Sequence, residues 1–344
     1  MHSFKPIPCR LLSLGADMRR REFLGALGGA VAAWPVVAHA QQSAKLWRVG
    51  YLSGVSRQAG SGVYAGFVRG MRELGYVEGS DFVIEWRSAE GRYERFRSLA
   101  AELVNLKVDV LFTLATVAIR PLQQATTTIP IVMAYSTDPV GNGFVASLTH
   151  PGSNTTGLAS SSDDTSPKQL EFLSLIRPRL NRVGVLGNPN SPTYLPVRKG
   201  VEAAALKAGL SVIHVEARNP VDIDNAFAAL TASGAQGVVA AGDPVFFNER
   251  DRLAELALRA HLPSMFSQRE YVAAGGLMSY GENLSNFAYR AASFVDRIFK
   301  GAKPADLPIE QPTRFHLVVN GKTANALGLT IPPQLNMFAD EVIE

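Results

Sequence analysis

The amino-acid sequence predicts an α/β protein built from two doubly wound, Rossmann-like lobes. From Lys45 onward, short apolar runs alternate with segments of helical periodicity, a pattern typical of parallel strands connected by helices. The pattern starts again after Thr155-Thr156-Gly157, which indicates a second set of the same units. A chain of 344 residues is long enough for two such domains.

In the first set, helical spacing and continuous apolar runs identify the elements. Val63, Phe67 and Met71 recur at intervals of about one helical turn, and Gly75 is placed to end that helix. The run 108–114 is largely apolar, with Asp109 and Thr113 as its polar members, as expected for a strand buried on both faces. These patterns predict strands at 47–52, 82–86, 108–114 and 131–135, with helices at 63–74, 93–106 and 117–125.

The last third of the chain does not form a third lobe. It contains a strand at 276–280, a helix at 287–299 and a strand at 315–320, too few elements to bury their own apolar faces. They must pack on the earlier lobes, so the chain crosses between the lobes at several hinge segments.

For the second set we predict strands at 182–186, 212–215, 236–241 and 263–266, with helices at 167–177, 196–208, 221–233 and 246–261.

The first 40 residues have the order of a secretory signal: basic, then apolar, then small residues. Arg19-Arg20-Arg21 precede Glu22-Phe23-Leu24, which matches the twin-arginine pattern, and Ala38-His39-Ala40 forms a small-x-small cleavage site. The apolar stretch between them, about 15 residues, is too short for a membrane-spanning helix. The leader therefore predicts export in a folded state, cleavage after about Ala40 and a periplasmic location.

The leader also holds most of the net charge. It carries a net +3 of the formal +4, so the basic balance does not indicate a nucleic-acid partner. Met18 is an alternative start to Met1, and Cys9, the one cysteine of the sequence, precedes it. A mature chain without cysteine has no lipidated anchor and no thiol nucleophile. We expect a monomer that does not insert into a membrane.

Together these patterns define the expected domain boundaries. We predict a cleaved signal region at 1–40, lobe 1 at 45–157 plus about 282–312, lobe 2 at 158–281 plus about 313–335, and a C-terminal tail at 336–344.

Motifs for catalysis and metal binding fail on spacing. Gly60-x-Gly62-x-x-x-Gly66 has three residues between its last two glycines, where a dinucleotide-binding loop has two. The sequence has no Gly-x-Ser-x-Gly elbow. We predict no enzyme activity, no catalytic residue, no metal and no cofactor. The histidines lie far apart, without the paired spacing of a zinc site: His150, His214, His261 and His316.

Over essentially all of residues 46–344, the sequence resembles the ABC transporter substrate-binding family whose characterised branch includes tryptophan-binding proteins. The resemblance implies a type I periplasmic-binding-protein fold, a small-molecule ligand, and an ABC permease and ATPase as partners. It leaves the ligand open. Seven segments carry it, in order along the chain: Phe67–Tyr76 with Glu78-Gly79, Ile129–Val132, Asp138–Gly141, Pro151–Gly157, Ala274–Gly281, Lys300–Pro308 and Ala339–Glu344.

Ligands of open parallel sheets bind beyond the carboxyl ends of the strands, which predicts a site between the two sets of strand ends. Hydroxyl groups and helix N-termini at these ends suit a carboxylate, and Asp243 suits an ammonium group. Tyr194 or Phe246 can cover an apolar side chain. We therefore expect an amino acid or another small carboxylate, such as an aromatic or organic acid. The predicted ligand-binding residues are Ser53, Gly54, Ala115, Thr116, Ser136, Thr137, Asp138, Asn188, Tyr194, Asp243, Phe246, Ser267 and Tyr280.

Several of these residues also have a simple structural explanation. Asp138 and Asp243 each precede a proline, so each can cap a helix or turn instead of binding a ligand. Asn188 lies in a turn-rich segment, and serines and threonines at strand ends often form turns. Two other functions stay open: an exported NAD-type oxidoreductase, with Glu85 as the ribose-binding acid, and the ligand-binding component of a sensor.

Overall fold

The first sheet is formed by the N-terminal part of the chain in the computed structural model, which describes residues 45–160 and 165–344. Its elements are β1 (Trp47–Ser53), α1 (Ser61–Glu73), β2 (Phe82–Ser88), a 3-10 turn (Tyr93–Arg95), α2 (Phe96–Asn105), β3 (Val110–Thr113), α3 (Thr116–Ala125), β4 (Ile131–Met133) and β5 (Thr155–Gly157). The strands are all parallel, in the order β2-β1-β3-β4-β5. The predicted signal region, 1–40, lies outside the described residues.

The second sheet has seven strands in the order β12-β11-β10-β9-β8-β6-β7, and only β10 and β11 run antiparallel to each other. Its elements are α4 (Thr165–Ile176), β6 (Arg182–Gly187), α5 (Tyr194–Ala208), β7 (Ser211–Glu216), α6 (Pro220–Ala232), β8 (Val238–Ala240), α7 (Pro244–Asn248), α8 (Arg250–Arg259), β9 (Ser264–Phe266), α9 (Arg269–Ala273), β10 (Met278–Gly281), β11 (His316–Asn320), α11 (Gly321–Ala326), α12 (Pro333–Phe338) and β12 (Glu341–Ile343).

Both sheets are wound in the same way. In the first, β2 lies on one side of β1 and β3 on the other; in the second, β7 and β8 flank β6 in the same manner. Each sheet therefore has a point at which the direction of winding reverses, and loops on its two sides leave a crevice at the carboxyl ends of the strands. The prediction of an α/β fold with two doubly wound sheets is confirmed.

Helix α10 (Leu284–Phe299) returns to the first sheet and packs closely on α1. Two glycines of α1 permit this contact because they have no Cβ. A Cβ on Gly66 would lie 2.3 Å from the carbonyl oxygen of Ser285, and one on Gly70 would lie 2.5 Å from that of Tyr289. Gly66, the last glycine of the Gly60-x-Gly62-x-x-x-Gly66 pattern, therefore serves helix packing together with Gly70.

The chain passes between the sheets after β5, after β10 and after α10, and the crossing segments contact each other. Ala159 donates its backbone N–H to the carbonyl of Glu310, and Glu310 donates to that of Gly157, at 2.8 and 3.1 Å. Ser160 Oγ donates to Glu282 Oε2 at 2.5 Å. Connections of this kind allow two lobes to rotate about shared segments.

Several elements differ from the predictions. The helix predicted at 246–261 is two helices, α7 and α8, because Glu249 between them departs from helical dihedral angles. Residues 336–344, predicted to be a tail, contain the end of α12 and the strand β12, which pairs with β11. Periodicity also failed to predict β5, α9 and α11, which are too short to show a repeat.

In residues 45–160 and 165–344, no helix combines the length and the apolar character needed to cross a membrane.

Candidate functional site

A cavity lies where the carboxyl ends of the two sheets face each other, next to both points of reversed winding. The volume of the cavity is about 120 Å³, which is room for a small ligand. Polar and small residues that line it come from the ends of β1, β3, β8 and β9 and from the loops beyond β4 and β6: Ser53, Gly54, Ala115, Thr116, Thr137, Ser191, Thr193, Gly242, Asp243, Ser267 and Gln268.

The first sheet contributes the N-terminus of α3. Ala115 precedes this helix and no side chain caps it, although Thr113 Oγ1 accepts the N–H of Ala115 at 3.1 Å. Thr116 Oγ1 accepts the N–H of Thr137 at 3.2 Å, which ties the ends of β3 and β4 together. The first N–H groups of a helix have no acceptor within it, and the helix dipole makes this end partly positive. This side of the cavity can therefore receive an anionic group.

The second sheet contributes Asp243, the N-cap residue of α7. Its Oδ1 accepts the N–H of Val245 at 2.8 Å, and Pro244 occupies the first position of the helix. Asn188 Nδ2 donates to the same oxygen at 3.4 Å. Tyr93 donates its phenolic hydrogen to Oδ2 from the first sheet's side of the cavity.

The Asp243 carboxyl is almost completely buried, with 5% of the residue exposed. Burial raises its pKa above the ordinary aspartate value, because a buried charge loses its hydration. The hydrogen bonds from Tyr93, Val245, Asn188 and Ser191 act in the opposite direction. Among the described residues, no Lys, Arg or His forms an ion pair with this carboxyl. Within the part of the chain that the structure describes, the cavity therefore has an acidic group that no cationic side chain pairs with.

Two further acceptors on the cavity wall have no partner among the described residues. Ser267 Oγ and Gln268 Oε1 are buried and make no hydrogen bond within this part of the chain. A Cβ on Gly242 would lie 3.0 Å from Ser267 Oγ and 3.2 Å from Gln268 Nε2, so both side chains lie beside the backbone that precedes Asp243. Buried polar atoms are normally paired, and unpaired atoms on a cavity wall suggest a bonding partner supplied by a ligand or by water.

The rest of the wall is mostly apolar or aromatic, with Thr165 and Gln169 as further polar residues. Tyr51 contacts Trp86 and Phe112 edge to face, with ring centroids 4.1 and 5.0 Å apart. Burial raises the pKa of the Tyr51 phenol, so the hydroxyl stays protonated and uncharged. The other apolar lining residues include Val55, Val63, Leu114, Val117, Tyr135, Val197, Phe247 and Leu284. This part of the cavity suits an uncharged portion of a ligand.

A sequence profile of the family described as "ABC transporter substrate binding protein" matches residues 48–343. The chain belongs to this family. Together with the two facing sheets, the match confirms the predicted family and the type I periplasmic-binding-protein fold.

The substrate-binding protein is similar to several characterised or solved relatives. It is 24% identical over 265 residues to a tyrosine-binding protein of Clostridioides difficile (strain R20291), which covers 77% of this chain and 76% of that protein. A domain from Streptococcus pneumoniae solved in complex with L-Trp has 26% identity and a TM-score of 0.81, covering 87% of this chain and all of the other. A conserved domain protein from Vibrio cholerae has 27% identity, the same TM-score and the same coverage.

Seven of the ligand-binding residues predicted from the sequence line the cavity of this substrate-binding protein: Ser53, Gly54, Ala115, Thr116, Thr137, Asp243 and Ser267. All of them lie at or just beyond the carboxyl end of a strand. The structure thus brings together residues that are up to about two hundred positions apart in the sequence, because the winding of each sheet reverses at this point.

Six predicted residues are not in the cavity wall. Asp138 is exposed and accepts the N–H of Gly141 at 2.8 Å, so it stabilises a turn, and Asn188 contacts Asp243. Tyr194 packs over Gly187 in the hydrophobic core beside the second sheet, and Phe246 is fully buried. The remaining two are Ser136, which is fully buried, and Tyr280, whose ring packs on Phe172 and Phe315.

The sequence analysis did not identify Gln169, Ser191, Thr193 or Gln268, which also line the cavity, or Tyr93, which donates to Asp243. Gln268 follows Ser267 directly and could have been found by extending the strand end by one residue. Ser191 and Thr193 lie in the loop after β6, where turn-forming residues hid any other role. Tyr93 comes from a turn beyond β2, away from the point of reversed winding, and its position had no signal in the sequence.

The described residues contain no group of three or more His, Cys, Asp or Glu side chains able to hold a metal ion.

Proposed function

We propose that this substrate-binding protein captures an amino acid between its two lobes and delivers it to an ABC permease, without chemical change to the ligand. The buried carboxyl of Asp243 carries the proposal. It lines the cavity, and no cationic side chain among the described residues pairs with it. A buried carboxylate without a cationic partner is costly, and an ammonium group on the ligand would compensate for that cost.

The acceptors near Asp243 support recognition of an ammonium group. An ammonium group has three hydrogens to donate, and Gln268 Oε1 and Ser267 Oγ are acceptors that lack a donor. Asp243, Gln268 and Ser267 all lie at the carboxyl ends of the neighbouring strands β8 and β9. We assign these three residues to the amino group of the ligand.

The N-terminus of α3 supports recognition of a carboxylate on the other side of the cavity. The backbone N–H groups of Thr116 and Val117 start an uncapped helix that borders the cavity, and the Thr116 hydroxyl lies beside them. Helix N-termini bind anions through these N–H groups and the helix dipole. An anion-binding end opposite an acidic group suits a zwitterion, with the apolar wall around Tyr51 left for the side chain.

The relatives support an amino acid as the ligand class. One is named as a tyrosine-binding protein, and another was solved in complex with L-Trp. The leader at 1–40 supports export by the twin-arginine route with cleavage after about Ala40, and hence a periplasmic location. We also propose that the protein is a monomer and meets its permease and ATPase at the inner membrane. The sheets suggest the lobes: the first sheet with α10 on one side, the second sheet on the other.

A thermal-shift screen tests the proposal, because a ligand that binds only the folded protein raises its melting temperature. L-tyrosine, L-tryptophan and the other common amino acids form the first set of compounds. Two analogues of any hit form the second: the deaminated acid, which lacks the ammonium group, and the amino-acid amide, which lacks the carboxylate. We expect a shift from at least one amino acid and a much smaller shift from both analogues. An analogue that lacks the ammonium group but shifts the melting temperature equally would contradict the role of Asp243.

A further inference from the structure

Asp243 contacts both sides of the cavity, and Tyr93 makes the contact from the first sheet. The other three donors to its carboxyl, Val245, Asn188 and Ser191, belong to the same side as Asp243 itself. Tyr93 lies 150 positions away in the sequence, in the 3-10 turn that follows β2. Its ring packs edge to face on Phe96, with centroids 5.8 Å apart, which fixes the direction of the hydroxyl.

This hydrogen bond belongs to a small interface between the first sheet's loops and α7. Ser56 donates its backbone N–H to Asn248 Oδ1 at 3.2 Å, and a Cβ on Gly91 would lie 3.2 Å from the Cα of Val245. Asn248 is held in place by its own bond to the carbonyl of Pro244, at 2.9 Å. Because these partners come from different sheets, the contacts form only when the two sides of the cleft are together.

The chemistry of the pair gives Tyr93 a defined task. When a cleft closes over a carboxylate, the water that solvated it must leave, and each lost hydrogen bond must be replaced. Burial raises the pKa of the Tyr93 phenol, and the negative charge of Asp243 raises it further, so Tyr93 stays protonated and able to donate. The phenol can therefore take the place of a departing water molecule on Oδ2.

We propose that Tyr93 is the residue that couples closure of the cleft to the ligand-binding carboxyl, by donating to Asp243 from the opposite lobe only in the closed state. The inference rests on the proposed function in one respect, that Asp243 holds the ligand. Tyr93 then strengthens binding without being a main contact of the ligand: a contact available only in the closed state shifts the population toward that state and slows ligand release.

The variant Tyr93→Phe tests the proposal, since it removes the hydroxyl and keeps the ring on Phe96. The matched control is Tyr64→Phe, because Tyr64 also donates to a carboxylate, that of Glu78, but both residues belong to the first sheet's side. The closed fraction is measured by small-angle X-ray scattering, without ligand and with saturating L-tyrosine or L-tryptophan. The dissociation rate of the same probes is measured by stopped-flow fluorescence.

We expect Tyr93→Phe to lower the closed fraction and to speed dissociation about tenfold or more, as for loss of a hydrogen bond to a charged group, with Tyr64→Phe unchanged. Equal closed fractions and equal dissociation rates in Tyr93→Phe and the unmodified protein would overturn the proposal. If neither probe binds the unmodified protein, the choice of ligand class is at fault. The scattering of the ligand-free proteins then decides the role of Tyr93: a lower closed fraction in Tyr93→Phe supports it, and equal fractions overturn it.

Discussion

Gly54 and Pro244 meet across the cleft with no space for a side chain between them. A Cβ on Gly54 would lie 2.7 Å from Pro244 Cγ and 2.9 Å from Pro244 Cβ, shorter than real contacts of this kind. Gly54 follows β1 in the first sheet, and Pro244 begins α7 beside the second. Pro244, the first residue of α7, thus fits against the loop after β1 only because position 54 is glycine.

The variant Gly54→Ala is therefore expected to keep the cleft from closing fully. The proline ring cannot rotate out of the way, so the added methyl group must hold the two sides apart. Ligand affinity should fall at least about tenfold, because the closed state supplies part of the binding energy. Isothermal titration with the ligand found in the screen measures this. Gly62→Ala is the control, since a Cβ at position 62 has no atom within 4 Å.

The variant Asp243→Asn tests the ammonium site. Asparagine keeps the size of the side chain and an oxygen for the N–H of Val245, but it removes the negative charge. Loss of one member of a buried charge pair costs about 3–5 kcal/mol, so affinity for an amino acid should fall at least about a hundredfold. Asp222→Asn is the control: Asp222 also accepts a backbone N–H at a helix start, that of Arg218 at 2.9 Å, but does not line the cavity. An affinity that Asp243→Asn leaves unchanged would restrict Asp243 to capping α7.

Binding should also depend on pH in a direction that the pKa of Asp243 sets. In the ligand-free protein the raised pKa means that the charged form is disfavoured, so this group's contribution to stability is complete below the ordinary value of 3.8 and is lost as pH rises through the raised pKa. An ammonium ligand needs the charged form, so its affinity should change in the opposite sense and fall as pH is lowered through the same range.

Titration calorimetry from about pH 8 down to about pH 5 checks this dependence, because an unperturbed aspartate would stay ionised over that whole interval. The unmodified protein should begin to lose affinity at a higher pH than an aspartate of ordinary pKa would cause. Asp243→Asn should show weak binding with a nearly flat profile. A flat profile for the unmodified protein would mean that Asp243 does not change its protonation state in this range.

The sequence predicted the sheets well because the signal for a buried parallel strand is local. The continuous apolar run around Val110–Thr113 and the helical spacing of Val63, Phe67 and Met71 can be identified without any knowledge of the rest of the fold. Strand β5 is different. Thr155-Thr156-Gly157 has no apolar signal, and it is a strand because it pairs with β4, with Thr155 opposite Ile131.

The cavity could be predicted in part for a related reason. Once the winding is known, the strand ends that meet are known, and this rule located Asp243 and Thr116. It cannot tell which way an aromatic ring near a strand end turns. Tyr194 and Phe246 were predicted to cover a ligand. Tyr194 is the first residue of α5 and Phe246 the third residue of α7, and both face the hydrophobic core beside their own sheet. The position of Tyr93 depends on how the two sides meet, which no local pattern records.

The contact between α1 and α10 leads to a prediction about stability. Gly62 and Gly66 lie one turn apart on the same helix, yet a Cβ at 62 would meet nothing while one at 66 would lie 2.3 Å from the Ser285 carbonyl oxygen. Gly66→Ala forces the two helices apart and should lower the free energy of unfolding by about 1–3 kcal/mol. Gly62→Ala gains helix propensity without a clash and should raise it by about 0.5–1 kcal/mol.

Urea denaturation of the two variants and the unmodified protein measures both changes under the same conditions. The opposite signs are what make the comparison informative, because alanine replaces glycine in the same helix in both cases and only the neighbouring backbone differs. Since α10 returns to the first sheet after β10 of the second sheet, a loss of stability in Gly66→Ala would also report that the returning helix stabilises the first sheet. Equal effects at 62 and 66 would contradict the close packing of α1 on α10. A Cβ on Gly66 would then have more room than the 2.3 Å to the Ser285 carbonyl oxygen indicates.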